Sequence, residues 1–211
     1  MKFLRISLFV FFIALVATSC ATQPYKNLPK LTGAPPLAIP LSLDKKVLYT
    51  ASIDVYGHHI NGLIALKKMQ TKEIRIACLA QSAIKLVEFR CDEDKCTPSF
   101  IMDKIKDTGV VKRLQEDFHL LLMKDVAIKE AKVVLDDSDR GLRIYRFGRG
   151  TRKIFYSVDK KNGHLIKIEK TKKNRSAVTI TLSNYDNDGV PMHILIQRAK
   201  IKVDMKLVVW D

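Results

Sequence analysis

The chain has 211 residues, a formal net charge of +15, and 47% hydrophobic and 28% charged residues. This composition excludes an intrinsically disordered chain, and the length suits one domain with a substantial apolar core. The basic balance favours an anionic partner, which is either nucleic acid or the phosphate head groups of a membrane.

The first twenty residues have the organisation of an export signal. Lys2 and Arg5 precede an almost uninterrupted apolar run over residues 6–16, and Ala17-Thr18-Ser19-Cys20 follows. A basic start, an apolar run of about 7–15 residues and small residues at a cleavage site predict a secretory signal over residues 1–19. The run is shorter than the roughly 20 apolar residues of a membrane span.

The cysteine at the predicted cleavage site resembles the lipobox of bacterial lipoproteins. This resemblance implies that the signal is removed and that Cys20 carries fatty acyl chains, palmitate among them, which anchor the protein. Ala21 follows Cys20, whereas an aspartate there retains lipoproteins of many diderm bacteria in the inner membrane. The resemblance therefore implies an outer-membrane protein that faces the periplasm, where nucleic acid is not an expected partner. An ordinary secretory signal cut close to a cysteine is the alternative.

Residues 20–44 are rich in proline and have few apolar repeats. Proline lacks a backbone donor and keeps the chain extended, so we expect this segment to be either a free tether or an arm lying on the domain. The domain itself is predicted over residues 45–211.

The remaining cysteines have distinct predicted roles. Cys91 and Cys96 flank a short polar loop, and in an oxidising compartment this spacing indicates a disulfide. A zinc site would need about four ligands, and the sequence has no second C-x-x-C or H-x-x-x-H pattern. Cys78 alternates with Ile74 and Ile76 and is predicted to be a buried thiol.

From Lys45 onwards the hydrophobic pattern has a period of two, which predicts strands with one face in a core. Further strands are predicted over residues 60–69, 73–78 and 83–90, and their short linkers indicate antiparallel hairpins. The apolar face of the first strand consists of Val47, Tyr49, Ala51, Ile53 and Val55.

The pattern changes to a helical period after Cys96. Thr97-Pro98 is a favourable helix start, and a short helix is predicted from there to about Gly109. A second, amphipathic helix is predicted over residues 110–124, where we expect it to cover the open face of the sheet. Its core-facing positions include Val111, Leu114, Phe118, Leu121 and Leu122.

Strands resume after a polar loop predicted at residues 136–139. The total is about ten strands with one or two helices inserted between them, which is the pattern of a mainly β protein of the α+β class. The later strands, separated by turn dipeptides, are predicted over residues 142–147, 153–158, 165–170, 178–183, 192–198 and 201–209.

This order of elements resembles the LolA/LolB fold of lipoprotein carriers, in which an antiparallel sheet curls into a half-barrel and inserted helices form a lid. The segment 73–86 looks like a strand, a short loop and a strand of LolB, and the run at 113–120 is similar to a helix of LolB-like lipoproteins. The resemblance implies that Leu79 is a protruding loop residue that inserts into the membrane. From its pattern alone, Leu79 is equally an ordinary core residue beside a hairpin.

The resemblance also implies a function. An acyl chain or another apolar part of a lipid or lipoprotein would lie between the concave sheet and the lid, in lipid or lipoprotein transfer. The alternative is an interaction module with a filled core, which binds a protein partner of the envelope and carries nothing. The residues expected to line the cavity are Tyr49, Ile53, Ile64, Leu66 and Ile76.

No sequence pattern indicates catalysis, a cofactor or a metal, so we expect a protein that is not an enzyme. The histidines have no serine or cysteine partner in a recognisable nucleophile context. The aspartates at residues 136–139 and 186–188 lack the spacing and the distal glutamate of a calcium loop. Gly148-Arg149-Gly150 opens a hairpin and not the helix of a phosphate loop. The basic run at residues 167–175 is either a solvated sheet edge or a contact for lipid head groups.

Overall fold

The computed structural model describes residues 25–37, 43, 45–92, 95–106, 109–123, 133–173 and 175–208. The predicted signal over residues 1–19, the lipidation residue Cys20 and parts of the segment 20–44 lie outside these ranges. Within them, the regular structure is a set of β-strands, one α-helix and two 3-10 turns.

The alternating apolar pattern produces thirteen strands, which join in a single antiparallel sheet. They are β1 (Lys30–Leu31), β2 (Val47–Val55), β3 (His58–Lys68), β4 (Ile74–Ala80), β5 (Lys85–Cys91), β6 (Cys96–Ile101), β7 (Val133–Asp137), β8 (Leu142–Arg149), β9 (Arg152–Asp159), β10 (Leu165–Lys172), β11 (Arg175–Tyr185), β12 (Pro191–Arg198) and β13 (Ile201–Val208). Their order across the sheet is β1-β7-β8-β9-β10-β11-β12-β13-β2-β3-β4-β5-β6. Two series of hairpins are therefore joined where β13 pairs with β2.

The sheet is open and curled. Its edge strands are β1 and β6. The helix α1 (Val110–Leu121) packs against β5 and β6, yet its Asp117 also contacts Arg198 at the end of β12. Six strand-to-strand spacings separate β12 from β6, and in a flat sheet they would span about 29 Å. A helix about 10 Å across can contact both strands only if the sheet curls. The predicted mainly β fold, a curled antiparallel half-barrel with an inserted helix, is confirmed.

The prediction of a short helix after Cys96 is wrong. Residues Cys96–Ile101 form β6, which pairs with β5 from Cys91 opposite Cys96 to Val87 opposite Ile101. The Cys91–Cys96 disulfide joins the first pair of this hairpin, so the chain is held beside β5 where the helix was expected. Pro98 is tolerated because an edge strand can turn its missing backbone donor away from the sheet.

The polar loop predicted at residues 136–139 is partly wrong, because Asp136 and Asp137 end strand β7. The carboxylates of Asp136 and Asp137 both contact basic side chains at this end of β7. Asp137 lies 2.9 Å from the Nε of Arg140, and Asp136 accepts hydrogen bonds from Lys160 and Ser138. These contacts allow an acidic segment to remain in the sheet.

The core lies on one face of the sheet. Alternate residues of β2 to β6 and of β8 to β13 point to this face, and the apolar side of α1 joins them in one cluster. The largest fully buried side chains include Tyr49, Tyr156, Phe89, Phe118, Ile64 and Leu66.

The N-terminal segment starts on the opposite, convex face and reaches the core face at Leu37. Between these points β1 pairs with β7 at the sheet edge, and on the convex face the Tyr25 ring lies 5.0 Å from the ring of Phe155. The Tyr25 hydroxyl donates to Glu169 at 3.2 Å, and the Tyr145 hydroxyl donates to the carbonyl oxygen of Pro35 at 2.8 Å. Residues 25–37 are therefore an arm on the domain and not a free tether.

Gly62 on β3 marks a close approach between two strands. A Cβ atom at this position would lie 2.1 Å from the carbonyl oxygen of Leu79 on β4. Since the clash is with backbone, the strands would have to move apart. We expect Gly62→Ala to lower the free energy of unfolding by about 1–3 kcal/mol in urea denaturation. The neighbouring exposed change Asn61→Ala should stay within about 0.5 kcal/mol, and an equal loss in both variants would contradict the explanation.

Candidate functional site

The predicted cavity residues lie together on the core face of β2, β3 and β4. The register places Tyr49 opposite Ile64 and Leu66 opposite Ile76. The Phe118 ring of α1 lies 5.6 Å from the ring of Phe89 on β5. The predicted lid residues Val111, Leu114, Phe118, Leu121 and Leu122 all belong to the same buried cluster.

The predicted cavity residues are tightly packed, with little or no surface exposed to solvent. The exposed fraction is 0% for Tyr49, Ile64, Leu66 and Ile76, and 7% for Ile53. A side chain with no accessible surface has no water-sized space beside it, so an acyl chain has no room at these four residues while α1 is docked. A ligand could reach these four residues only if the packing around them changed.

Tyr49 is the residue with a polar group at the centre of the predicted cavity. Its hydroxyl donates to the carbonyl oxygen of Pro191 at 2.9 Å. Burial raises the pKa of this phenol well above its usual range, so it remains a protonated donor. The bond ties β2 to the start of β12 across the intervening strand β13.

The helix α1 has an abrupt change of backbone direction at each end. Gly109, which precedes α1, has φ of 67°, and Met123, which follows it, has φ of 56°. Glycine adopts this left-handed conformation freely, whereas for methionine it is unfavourable. The backbone therefore leaves the helical conformation sharply at both ends of α1.

A buried ion pair holds α1 against β12. Asp117 is 1% exposed, and its Oδ1 lies 3.1 Å from Nη2 of Arg198. The guanidinium donates its hydrogen bond to Glu116 instead, at 3.3 Å. Neither carboxylate oxygen of Asp117 has a hydrogen-bond partner among the described residues. The two charges are close, but they lack the directed hydrogen bonds that would offset their removal from water.

Burial raises the pKa of Asp117 to about 7, and the charge of Glu116 adds to this effect. Arg198, Lys170 and Arg113 lower the pKa but do not outweigh desolvation. An aspartate with a raised pKa binds its proton more tightly in the folded protein than in the unfolded chain. It therefore favours the folded state at acidic pH, and this contribution is lost as the pH rises from about 4 to about 7.

Asp117 and Arg198 were not among the predicted site residues. The available signal was the position of Asp117 within the apolar stripe of the helix, three residues after Leu114 and next to Phe118. A carboxylate at such a position needs a partner when it is buried. Nothing in the local sequence marks Arg198 as that partner.

The structure does not place Leu79 in a protruding loop. Leu79 is a half-buried residue of β4 that pairs with Leu63 of β3. The strand pattern continues to Ala80, and the turn begins only at Gln81, where the backbone N–H of Ala80 closes it by donating to Ile84. The apolar side chain that protrudes from this turn is Ile84, which is 57% exposed.

The cysteines of the domain are all buried. Cys91 and Cys96 form a disulfide, and Cys78 is a free thiol. Burial raises the pKa of the Cys78 thiol to about 12. It is therefore protonated at neutral pH and unsuited to act as a nucleophile.

One histidine contacts a serine in the folded sheet. On the outer face of the sheet, Nδ1 of His193 lies 3.5 Å from Oγ of Ser183, and its Nε2 lies 2.8 Å from Oδ1 of Asp204. These residues stand on the neighbouring interior strands β11, β12 and β13, whose backbone N–H groups are used by the sheet. Ser183 and His193 are directly opposite each other in the β11–β12 register, and we interpret the row as a cross-strand polar ladder.

Two surface hollows are distinct from the predicted cavity. One, of about 580 Å³, lies beside β10 and β11 and includes Lys167 and Ser183. The other, of about 540 Å³, lies at the β3–β4 turn and includes Gln70 and Arg75. None of the five predicted cavity residues lines either hollow.

Within the described ranges, no group of three or more His, Cys, Asp and Glu side chains is placed to hold a metal ion. His59, near the start of β3, is instead hydrogen-bonded to Asp54 at 2.6 Å and to Asn61 at 3.1 Å. None of the described helical segments has the length and apolar content of a membrane span.

No protein-family model matches the sequence, and no curated protein is significantly similar to it. Among solved structures, the fold is similar to a LolA superfamily protein from Nitrosomonas europaea, with 12% identity, a TM-score of 0.49, and coverage of 81% of this chain and 87% of that one. It is also similar to a DUF1329 family protein from Desulfovibrio piger, with 12% identity, a TM-score of 0.45, and coverage of 79% and 85%.

A third similar structure is a proposed outer membrane lipoprotein-sorting protein domain from Vibrio parahaemolyticus, with 8% identity, a TM-score of 0.41, and coverage of 78% and 83%. At identities of 8–12% these are likenesses of fold and not of function.

Proposed function

We propose that the protein is an outer-membrane lipoprotein, anchored through Cys20, that binds the apolar chain of a lipid or lipoprotein between α1 and the sheet. The signal-like residues 1–19 and the lipobox-like position of Cys20 support the anchor. The observation that carries the binding proposal is the attachment of α1. This single 12-residue helix closes an apolar sheet face, with an abrupt turn at each end and a poorly satisfied buried ion pair.

An acyl chain would take the place of the α1 side chains on the sheet. Release of α1 withdraws Leu114, Phe118 and Leu121 from the core, and burial of such side chains is worth about 1.5–3 kcal/mol each. An acyl chain contributes about 0.8 kcal/mol per buried CH₂, so about ten CH₂ groups supply a similar free energy. The exchange is then nearly balanced, as a carrier that must also release its ligand requires.

Binding of a fluorescent fatty acid, 11-(dansylamino)undecanoic acid, tests this proposal at pH 8. Arg198→Gln removes the cation that faces Asp117, so it should favour the released position of α1. Because the docked form reduces the apparent affinity, we expect Arg198→Gln to bind the probe at least tenfold more tightly than the unmodified protein. Arg90→Gln, an exposed arginine change on β5, is the matched control and should leave binding unchanged.

Circular dichroism of both variants establishes that they are folded before the titrations are compared. Native mass spectrometry of the protein extracted from membranes should also detect a co-purifying lipid. If neither the unmodified protein nor Arg198→Gln binds the probe, and no lipid co-purifies, the proposal is wrong.

A second candidate function is an interaction module that carries no ligand. The zero exposure of four predicted cavity residues favours it, because such a core is already filled. This candidate predicts no probe binding in either arginine variant, together with recovery of one defined envelope protein by cross-linking in cells.

A further inference from the structure

The hairpin turns lie at two opposite rims of the sheet. Since neighbouring strands are antiparallel, the turns β8–β9, β10–β11, β12–β13, β2–β3 and β4–β5 share one rim and follow one another in that order. Contacts join this rim directly, because the backbone N–H of Tyr56 in the β2–β3 turn donates to the carbonyl oxygen of Lys200 in the β12–β13 turn at 2.9 Å. We call it the basic rim.

Positive charge is concentrated at the basic rim. In its five turns and the strand residues beside them, the sequence has no aspartate or glutamate. The exposed cations there are Lys85, Arg152, Lys172, Lys173, Arg175 and Lys200.

The opposite rim has a different character, because its turns mix both signs. Asp139, Asp159 and Asp188 stand there among Lys160, Lys161 and other cations. The positive balance of the chain is therefore not spread evenly over the surface, and one end of the half-barrel attracts anions more strongly than the other.

The basic rim also carries exposed apolar side chains. Tyr56 and Ile84, which are 46% and 57% exposed, lie in its turns. Phe100, which is 43% exposed, lies on the edge strand β6 opposite Glu88, one residue before the end of that strand. Cations accompany two of them, since Arg113 lies 5.2 Å from the centre of the Tyr56 ring and Lys85 lies 5.7 Å from that of Phe100.

We propose that the basic rim docks on an anionic phospholipid surface. Lysine and arginine side chains bind the phosphate head groups, while tyrosine and other apolar side chains enter the boundary between head groups and acyl chains. This inference goes beyond the proposed function, because a rim that faces a bilayer does not require the core to accept a ligand.

Vesicle sedimentation tests this docking with the chain from Cys20 onwards, which contains every described residue. Cys20→Ser prevents lipidation, so binding reports the domain surface and not the anchor. The vesicles are phosphatidylcholine alone or phosphatidylcholine with about 30% phosphatidylglycerol. We expect binding to the anionic vesicles at least tenfold tighter than to the neutral ones, with a steep decrease on addition of salt.

Two double variants locate the binding surface. Lys173→Glu with Lys200→Glu alters the basic rim, and Lys72→Glu with Lys161→Glu alters the opposite rim by the same net charge. Lys173, Lys200 and Lys72 are exposed turn residues with left-handed backbone, at φ of 51°, 63° and 64°, so the backbone settings are closely matched. The first pair should weaken binding to anionic vesicles at least tenfold, and the second less than threefold.

Equal weakening in both double variants would overturn the inference, since only the overall charge would then matter. Equal binding of the parent chain to neutral and anionic vesicles, or no vesicle binding at all, would overturn it as well. These outcomes are independent of the fatty-acid titration, so failure of the docking surface is distinguishable from failure of the proposed ligand site.

Discussion

Phe118→Ala should lower the free energy of unfolding by about 3–5 kcal/mol, the usual cost of removing a large buried aromatic side chain. Phe118 is fully buried and its ring lies 5.6 Å from that of Phe89, so it is a large contact between α1 and the sheet. The measurement is urea denaturation followed by circular dichroism. The same variant should expose the apolar sheet face, which binding of a hydrophobic dye reports under native conditions.

Lys112→Ala is the control for this change, because Lys112 is exposed on the same helix. It should alter the free energy of unfolding by no more than about 0.5 kcal/mol. A loss of less than 1 kcal/mol for Phe118→Ala would contradict the packed arrangement, and it would indicate that α1 is mostly released from the sheet in solution.

Asp117→Asn should stabilise the protein at pH 8 by about 1–3 kcal/mol and change its stability little at pH 5. At pH 8 the Asp117 carboxylate is ionised although it is buried without hydrogen-bond donors, and asparagine removes that charge. At pH 5 the side chain is already neutral in the folded protein, so the two chains differ less. Urea denaturation at both pH values measures the difference.

The change Asp188→Asn serves as its control, because the Asp188 side chain is 68% exposed. Its effect should stay within about 0.5 kcal/mol at both pH values. If Asp117→Asn destabilised the protein at pH 8 as much as at pH 5, the carboxylate would be ionised and well paired. The interpretation of the ion pair as a weak attachment of α1 would then be wrong.

Local patterns in the sequence were sufficient to predict most of the sheet. Alternation in segments such as Val47–Val55 and Ile201–Val208 predicts strands, because burial of one face acts on every second residue. The prediction failed where a distant partner or a cross-link decides the local structure. Thr97-Pro98 is a good helix start by local preference, but the disulfide and pairing with β5 make it part of an edge strand.

The candidate site shows the same limit. The apolar positions of α1 and of β2 to β4 were predictable from their spacing, and the structure places them in one cluster. The resemblance to LolB places Leu79 in a loop, but it does not fix where the hairpin turn begins, and β4 continues past Leu79 to Ala80. The attachment of Asp117 to Arg198 depends on the curl of the whole sheet, which no local pattern encodes.

If Cys20 carries the proposed lipid, the arm formed by residues 25–37 sets how far the domain can move from that anchor. The chain is held at Tyr25 by Phe155 and Glu169, so only residues 20–24 would link the domain to a lipid on Cys20. Five residues span at most about 17 Å. A domain on so short a link has an effective concentration at its own bilayer in the millimolar range. Contacts too weak to recruit a free protein would then keep the domain on the membrane for much of the time. Surface residues would decide the orientation of the domain on the membrane, and the anchor would decide its recruitment.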